Sequence, residues 1–283
     1  MTYQQFLNKQ MKRALTLSKE AEAIKILVLE LSGLDGAAFF LQLNQELPKS
    51  EEEKYLKAID LYLIDGIPVQ HILGYSYFYG YKMIVNKEVL IPRPETEELV
   101  GYVLQKYDDV FDGKEVTTVD VGTGSGAMAI VLKKEEPKMT MYATDISETA
   151  LEVAKQNASN NEAEVTFLQG DMLQPLIDRG LKFDILVSNP PYIPDDEFVE
   201  SIVKDNEPHV ALFGGKDGMY FYDIILSNAS KILKGKNIIA FEHSYNKGEQ
   251  MISLAKKYFP NGHIELIKDL NGKDRFTIIV NGE

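Results

Sequence analysis

The stretch Val119-Asp120-Val121-Gly122-Thr123-Gly124-Ser125-Gly126 gives the clearest indication of the fold, because it ends an apolar run typical of a strand and opens a helix. Its alternating glycines let unhindered backbone approach a ligand beside the positive end of that helix. Gly122, Gly124 and Ala127 also satisfy the looser dinucleotide fingerprint, and Asp145 lies near the spacing of its ribose-binding acid. The loop by itself leaves both NAD and S-adenosylmethionine open as cofactors.

A second acid, Asp171, lies in the segment Gln169-Gly170-Asp171-Met172 after the third predicted strand. The carboxyl end of that strand would bring it into the same crevice as the glycine loop. We expect Asp145 to bind the ribose hydroxyls, and Asp171 or the backbone of Met172 to bind the adenine edge. Taken alone, Asp171 could equally cap a helix. The loop and the two acids together favour S-adenosylmethionine.

Outward from the loop, apolar strand-like runs alternate with amphipathic helical stretches over the part of the chain after Asp112. This alternation predicts an α/β fold with a Rossmann-like, doubly wound sheet. Seven strands are predicted, near Val116 to Val121, Met141 to Asp145, Val165 to Leu168, Phe183 to Ser188, Asn237 to Phe241, Ile264 to Ile267 and Phe276 to Val280.

The N-terminal part has a different pattern, with apolar residues at helical spacing from Tyr3 to about Asp65. It predicts a small all-α helical-bundle domain of four or five helices, one of them capped by Ser50. Aromatic and β-branched residues around Gly80 then predict a β-hairpin linker. The predicted organisation is a helical domain over residues 1–74, the hairpin linker over 75–90 and the sheet domain over 91–283.

The tetrapeptide Asn189-Pro190-Pro191-Tyr192 follows a buried-type strand and carries the chemical prediction. The Asn189 side-chain oxygen and the Pro190 carbonyl oxygen would accept the two N–H bonds of a planar NH₂ group, while Tyr192 would cover its face. Asn189, Pro190 and Tyr192 are therefore the predicted catalytic residues, acting by orientation and by stabilising developing positive charge. Adenine, cytosine and glutamine all present such a group, so the tetrapeptide does not name the substrate.

Composition narrows the classes of partner. The formal net charge of −13 argues against a partner held through phosphates, and residues 1–85, with nine Lys and Arg against ten Asp and Glu, hide no basic domain. The chain has no cysteine, and its four histidines have no metal-ligand spacing, so no metal site is predicted. No apolar run approaches the ~20 residues that cross a bilayer.

Several further segments resemble one known family when they are taken with the glycine loop and the tetrapeptide. They are Gly66-Ile67-Pro68-Val69-Gln70-His71-Ile72-Leu73-Gly74, Ile91-Pro92-Arg93-Pro94-Glu95-Thr96-Glu97, Glu207-Pro208, Ala211-Leu212-Phe213-Gly214-Gly215-Lys216-Asp217-Gly218 and Asp274-Arg275-Phe276. In this order they resemble the release-factor glutamine N5-methyltransferases, a HemK-type family of class I S-adenosylmethionine-dependent enzymes. The resemblance covers nearly the whole chain.

The resemblance implies a helical bundle that helps to recognise the partner, and a sheet whose last strand runs antiparallel. It also implies methylation of the glutamine in the Gly-Gly-Gln loop of class I peptide chain release factors. With Asp171 added from the residues themselves, the predicted cofactor-binding set is Gly122, Thr123, Gly124, Ser125, Gly126, Asp145, Asp171, Met172 and Asn189. The predicted substrate-binding set is Asn189, Pro190, Pro191 and Tyr192.

The expected partner is thus a protein, with no direct nucleic acid and no membrane, and a cytoplasmic monomer is expected. Arg93 and Glu95 could form a pocket wall or an ordinary surface ion pair, and Ile91 to Pro94 could be only a rigid connector. A DNA or RNA amino-methyltransferase of the adenine N6 type is the alternative, disfavoured by the acidic charge. An NAD-dependent oxidoreductase leaves the tetrapeptide without a role, and a noncatalytic scaffold predicts no cofactor affinity.

Overall fold

The computed structural model describes residues 1–282. The chain divides into two compact units, one made of Met1–Tyr75 with Val199–Asn206 and the other of Ser76–Phe198 with the chain from Glu207 onward. The domain limits 1–74, 75–90 and 91–283 stay a prediction, which did not include the return of residues 199–206 to the helical unit. Within residues 1–282, no helix has both the length and the apolar character needed to cross a membrane.

The helical unit contains five consecutive helices, in agreement with the four or five predicted. They are α1 (Tyr3–Thr16), α2 (Ala21–Ser32), α3 (Gly36–Gln42), α4 (Lys49–Leu63) and α5 (Val69–Leu73). The predicted cap at Ser50 is wrong, because α4 begins at Lys49 directly after Pro48, which makes no side-chain cap. The nearby Glu51 carboxylate instead accepts hydrogen bonds from the phenols of Tyr3 and Tyr55 in the helical core.

The second unit begins with the predicted hairpin and continues as alternating helices and strands. Its first elements are β1 (Tyr75–Phe78), β2 (Tyr81–Ile84), α6 (Pro94–Phe111), β3 (Val116–Val121), α7 (Ala127–Glu135), β4 (Met139–Asp145), α8 (Glu148–Asn160), β5 (Val165–Gln169), α9 (Gln174–Ile177) and β6 (Phe183–Ser188). The remaining elements are α10 (Ser201–Lys204, in the helical unit), α11 (Tyr220–Ala229), β7 (Leu233–Glu242), α12 (Gly248–Tyr258), β8 (His263–Lys268) and β9 (Asp274–Asn281).

The seven predicted strands form one sheet in the order β5-β4-β3-β6-β7-β9-β8. The pairs β5-β4, β4-β3, β3-β6 and β6-β7 are parallel, whereas β9 runs antiparallel to both β7 and β8. The antiparallel last strand implied by the family resemblance is therefore confirmed. Both faces of the sheet are covered by apolar cores, as buried parallel strands require.

Strand order reverses between β3 and β6, because the chain builds outward through β4 and β5 and then returns to the other side of β3. Such a switch point leaves a crevice at the carboxyl ends of the two strands, where ligands bind in sheets of this type. The glycine loop follows β3 and the Asn189 tetrapeptide follows β6. The topology thus brings the two motifs, about seventy positions apart in sequence, to one crevice.

Candidate active site

A cavity lies where β3, β4, β5 and β6 end, with about 1070 Å³ of empty space that includes its opening to solvent. Its wall contains most of the predicted site residues, namely Gly122, Thr123, Gly124, Ser125, Asp145, Asp171, Met172, Asn189 and Pro191. Three predicted residues, Gly126, Pro190 and Tyr192, are not part of that wall. The sequence-based set therefore collects around one cavity, although its members do not all face it.

The glycines of the loop have two different structural roles. Gly122 and Gly124 have φ angles of 74° and 54°, and a Cβ built on either would meet no atom within 4 Å. They allow left-handed backbone and leave open space on the cavity side. A Cβ on Gly126 would instead lie 3.1 Å from the Cβ of Ala154 on α8. Gly126 therefore serves close helix packing.

Asp145 ties the glycine loop to the end of β4. Its Oδ2 accepts the Gly124 backbone N–H at 2.8 Å, and its Oδ1 accepts the Ser147 N–H at 2.9 Å. Burial raises the pKa of Asp145, and these N–H groups oppose the rise by stabilising the carboxylate. Each carboxylate oxygen can accept a further hydrogen bond, so the group can both shape the loop and bind a hydroxyl pair.

Two buried residues that were not predicted as site residues hold the glycine loop by hydrogen bonds. The Asp120 Oδ2 atom accepts the Thr123 hydroxyl at 2.6 Å, and burial raises the pKa of this fully buried acid to about 7. Buried Asn157 on α8 donates to the Ser125 carbonyl at 2.9 Å and exchanges hydrogen bonds with the backbone of Ile84. A buried amide that joins the loop to the hairpin leaves no periodic signal in the sequence.

Asp171 is exposed and lines the cavity, and the alternative that it caps a helix is wrong. The N-cap of α9 is Leu173, and no side-chain hydrogen bond caps that helix. The neighbouring Met172 has a φ of 44°, and its carbonyl accepts the Thr144 hydroxyl at 3.0 Å. A non-glycine residue in this strained region is held by its surroundings, which is common at ligand sites.

The tetrapeptide is fixed to the strand ends and to the buried interior. The Ser188 hydroxyl donates to the Val121 carbonyl at 2.6 Å, which joins the ends of β6 and β3. Asn189 lines the cavity and its Nδ2 donates to the Thr96 hydroxyl at 3.1 Å. Pro190 is buried, while Tyr192 is partly buried with its hydroxyl 3.5 Å from Glu242 Oε1. Burial and that carboxylate raise the pKa of the Tyr192 phenol.

The segment 211–218, one of those that resemble the family, packs against the tetrapeptide backbone. The Gly214 N–H donates to the Ile193 carbonyl at 2.8 Å, and a Cβ on Gly214 would overlap the carbonyl oxygen of Pro191. A Cβ on Gly218, whose φ is 72°, would overlap the carbonyl oxygen of Tyr192. Only glycine permits this close approach at both positions.

Arg93 lines the cavity and pairs with Glu207, so the alternative of a surface ion pair with Glu95 does not hold. Its Nη2 lies 2.6 Å from Oε1 of Glu207, whose side chain is 1% exposed, and the other Glu207 oxygen accepts the Ile91 N–H at 3.0 Å. Glu95 is not part of the cavity wall. The buried Glu207 therefore ties the segment 91–94 to the chain beyond the tetrapeptide.

Two family models match the chain, the PrmC N-terminal domain over residues 5–74 and the methyltransferase small domain over residues 103–211. The release factor glutamine methyltransferase of Bacillus cereus is 39% identical over 261 residues, an alignment that covers 92% of each chain. That of Bacillus subtilis is 41% identical over 261 residues, covering 91% of this chain and 90% of the relative.

Solved structures with a similar backbone are methyltransferases. A methyltransferase from Pyrococcus furiosus has a TM-score of 0.51 at 19% identity, covering 83% of this chain and 98% of that one. The N-terminal domain of human METTL16, solved with SAH, has a TM-score of 0.51 at 15% identity, covering 86% of this chain and 85% of that one. At these identities the likeness concerns the fold.

Proposed function

The chain belongs to the release factor glutamine methyltransferase family, and we propose that it transfers a methyl group from S-adenosyl-L-methionine to the glutamine side-chain nitrogen in the Gly-Gly-Gln loop of class I peptide chain release factors. The observation that carries this proposal is the 39% identity across 92% of both chains to a relative named for that activity. The two family models match residues 5–74, in the helical unit, and residues 103–211, mostly in the sheet unit.

The chain's own residues fit S-adenosylmethionine, which supplies an electrophilic methyl group on a positively charged sulfur. Gly122 and Gly124 leave open space beside the N-terminus of α7, where backbone N–H groups favour a carboxylate. Asp145 is available to the ribose hydroxyls while it holds the loop. Asp171 and Met172 follow β5, the strand beside β4, and would border the adenine.

The proposed chemistry at the tetrapeptide is orientation of a poor nucleophile. The lone pair of an amide nitrogen is delocalised into its carbonyl, so it must be turned toward the methyl group and its developing positive charge stabilised. The Asn189 Nδ2 is engaged by Thr96, which leaves Oδ1 as the acceptor for a substrate N–H. The Pro190 carbonyl would accept the second N–H, and Tyr192 would close the site from its partly buried position.

The acidic charge of −13 supports a protein substrate over a nucleic acid. The curated relatives likewise support the main interpretation and not the adenine amino-methyltransferase alternative. The oxidoreductase and scaffold alternatives find no support in the family either. A cytoplasmic location and a monomeric state stay predictions.

The test is transfer of labelled methyl to purified release factor, total tRNA and DNA in parallel, followed by mass mapping of the product. Label should appear on the glutamine of the Gly-Gly-Gln loop, and a release factor with that glutamine replaced by glutamate, which has no amide nitrogen, is the matched control substrate. Label on tRNA or DNA, or equal label on the control substrate, would contradict the proposal.

Asn189→Ala should lower single-turnover transfer by about 10²–10³, the usual cost of removing one preorganised electrostatic partner. Cofactor affinity should change less, because the proposed partner of the Asn189 oxygen is the substrate amide. Asn189→Asp should keep partial activity, since an acceptor oxygen remains at nearly the same size. Transfer by Asn189→Ala at the parent rate, with cofactor and substrate saturating, would exclude the amide-orienting role.

A further inference from the structure

Three polar side chains form a chain of hydrogen bonds from the interior of the sheet unit to the cavity. Glu242, at the end of β7, is 1% exposed, and its Oε2 accepts the Thr96 hydroxyl at 2.6 Å. The Thr96 oxygen in turn accepts Nδ2 of Asn189 at 3.1 Å. Thr96 and Asn189 line the cavity, whereas Glu242 lies behind them.

The direction of each hydrogen bond in this series follows from the number of hydrogens that each group can donate. A threonine hydroxyl has one hydrogen, and an ionised carboxylate can only accept, so the Thr96 hydrogen points to Glu242. Thr96 can then only accept from Asn189, and only the NH₂ end of that amide can donate. The oxygen end of Asn189 is therefore left for the cavity, whichever way the amide is drawn.

We infer, on the basis of the proposed function, that Glu242 acts through Thr96 as a positioning residue that presents the Asn189 side-chain oxygen to the substrate amide. The opposite orientation would present an NH₂ group to another NH₂ group, which cannot form a hydrogen bond of the required direction. Glu242 and Thr96 thus select the one orientation of the Asn189 side-chain amide that can hold a glutamine nitrogen for transfer.

The groups around Glu242 explain how its charge state is set. Burial raises the pKa of Glu242 to about 7, while the Thr96 hydroxyl and Arg275 on β9 lower it. Glu95 on α6 raises this pKa, and the Asn189 side chain, as a hydrogen-bond donor to the same carboxylate, lowers it. The Tyr192 hydroxyl lies 3.5 Å from Oε1, and the Tyr222 hydroxyl on α11 donates to the backbone carbonyl of Glu242 at 2.7 Å. A protonated Glu242 would itself donate to Thr96, which frees the Thr96 hydrogen for the Asn189 oxygen and allows the wrong orientation.

Thr96→Val is the first test, because valine keeps the branched shape and removes the hydroxyl. Single-turnover transfer to release factor should fall at least about tenfold, less than the ~10²–10³ expected for a group that contacts the substrate. S-adenosylmethionine affinity should change much less than the rate, and Thr96→Ser should restore most of the rate. Thr118→Val is the matched control, because this buried threonine on β3 has no hydrogen-bond partner for its hydroxyl within residues 1–282.

The second test is the pH profile of the single-turnover rate. In the parent enzyme the rate should rise with pH through the region near 7, where buried Glu242 loses its proton. In Glu242→Gln, which has no charge to lose, that inflection should disappear while part of the rate remains. Asp120, whose pKa burial also raises to about 7, stays in both proteins, so the difference between profiles reports Glu242.

A Thr96→Val enzyme with the parent rate, a Thr96→Ser enzyme as slow as Thr96→Val, or an unchanged inflection in Glu242→Gln would each overturn the inference alone. A parent enzyme without activity on release factor would overturn the proposed function, and this inference with it. Circular dichroism and thermal unfolding of every variant identify a loss of rate that comes from misfolding.

Discussion

At the scale of single residues, Asp145 combines a structural contact with a proposed ligand contact. Its carboxylate accepts the Gly124 N–H and stands in the wall of the cavity. Sequence spacing identified the residue, but only the structure reveals that the same group holds the loop. Its replacement should therefore affect both the shape of the loop and the binding of the ribose.

Asp145→Ala should weaken S-adenosylmethionine binding by about tenfold to a hundredfold, because charge-assisted hydrogen bonds are worth roughly 1.5–3 kcal/mol. The fold should survive, since the strand beneath the loop is held by its own ladder. Calorimetric titration measures the affinity, with Asp109→Ala, an exposed acid on α6, as the control. Unchanged affinity in a folded Asp145→Ala protein would remove Asp145 from the site.

At the scale of an element, the segment 211–218 holds the tetrapeptide by backbone contact. Gly214 and Gly218 lie against the carbonyls of Pro191 and Tyr192, where any Cβ would overlap them. Because glycine has no side chain, their backbone packs directly against these carbonyls and restricts the position of the segment that follows β6. This close packing gives the glycines of the segment a structural role beside the site.

Gly214→Ala should displace the Pro191 carbonyl and lower methyl transfer by about tenfold or more, since a shift of ~1 Å in a site can cost 10²-fold. Cofactor affinity should fall less, because the glycine loop lies on the neighbouring strand. Gly101→Ala is the control: this α6 glycine has open space for a Cβ, and alanine should stabilise the helix by up to ~1 kcal/mol. Equal activity of the two variants would argue against the supporting role.

At the scale of the whole molecule, the hairpin proves to be part of the sheet unit. Phe78 and Met83 are fully buried in its core, and the backbone of Ile84 exchanges hydrogen bonds with Asn157. A sheet domain cut at Asn86, within the predicted linker, would lose these contacts. The structural boundary falls instead after Tyr75.

A chain that begins at Ser76 should keep S-adenosylmethionine binding, whereas one that begins at Asn86 should unfold at a lower temperature. Both should methylate intact release factor at least about tenfold more slowly, because loss of a recognition surface removes more than 1.4 kcal/mol of binding. Calorimetry, thermal unfolding and transfer assays measure the three quantities. Transfer by the Ser76 chain at the full-length rate would refute partner recognition by the helical unit.

The fold class, the seven strands, the helical unit and the two motifs at the cavity could all be predicted from the amino-acid sequence. These features depend on residues close together in the chain: strand and helix periodicity, glycines at a turn, and prolines after a strand. The end of every predicted strand near the cavity agrees with the structure to within a residue or two. The family resemblance rests on the same short segments.

The pairing of polar groups around the site could be identified only in the folded structure. Thr96 reaches Asn189 across 93 positions and Glu242 across 146, while Arg93 reaches Glu207 across 114. No local pattern encodes such pairs, because the residues meet only in the folded chain. Glu242, for example, comes next to the strand end before Asn189 only once β7 lies beside β6. Burial of the Glu242 and Glu207 carboxylates then favours each pairing, since an unpaired charge in a low-dielectric interior is costly.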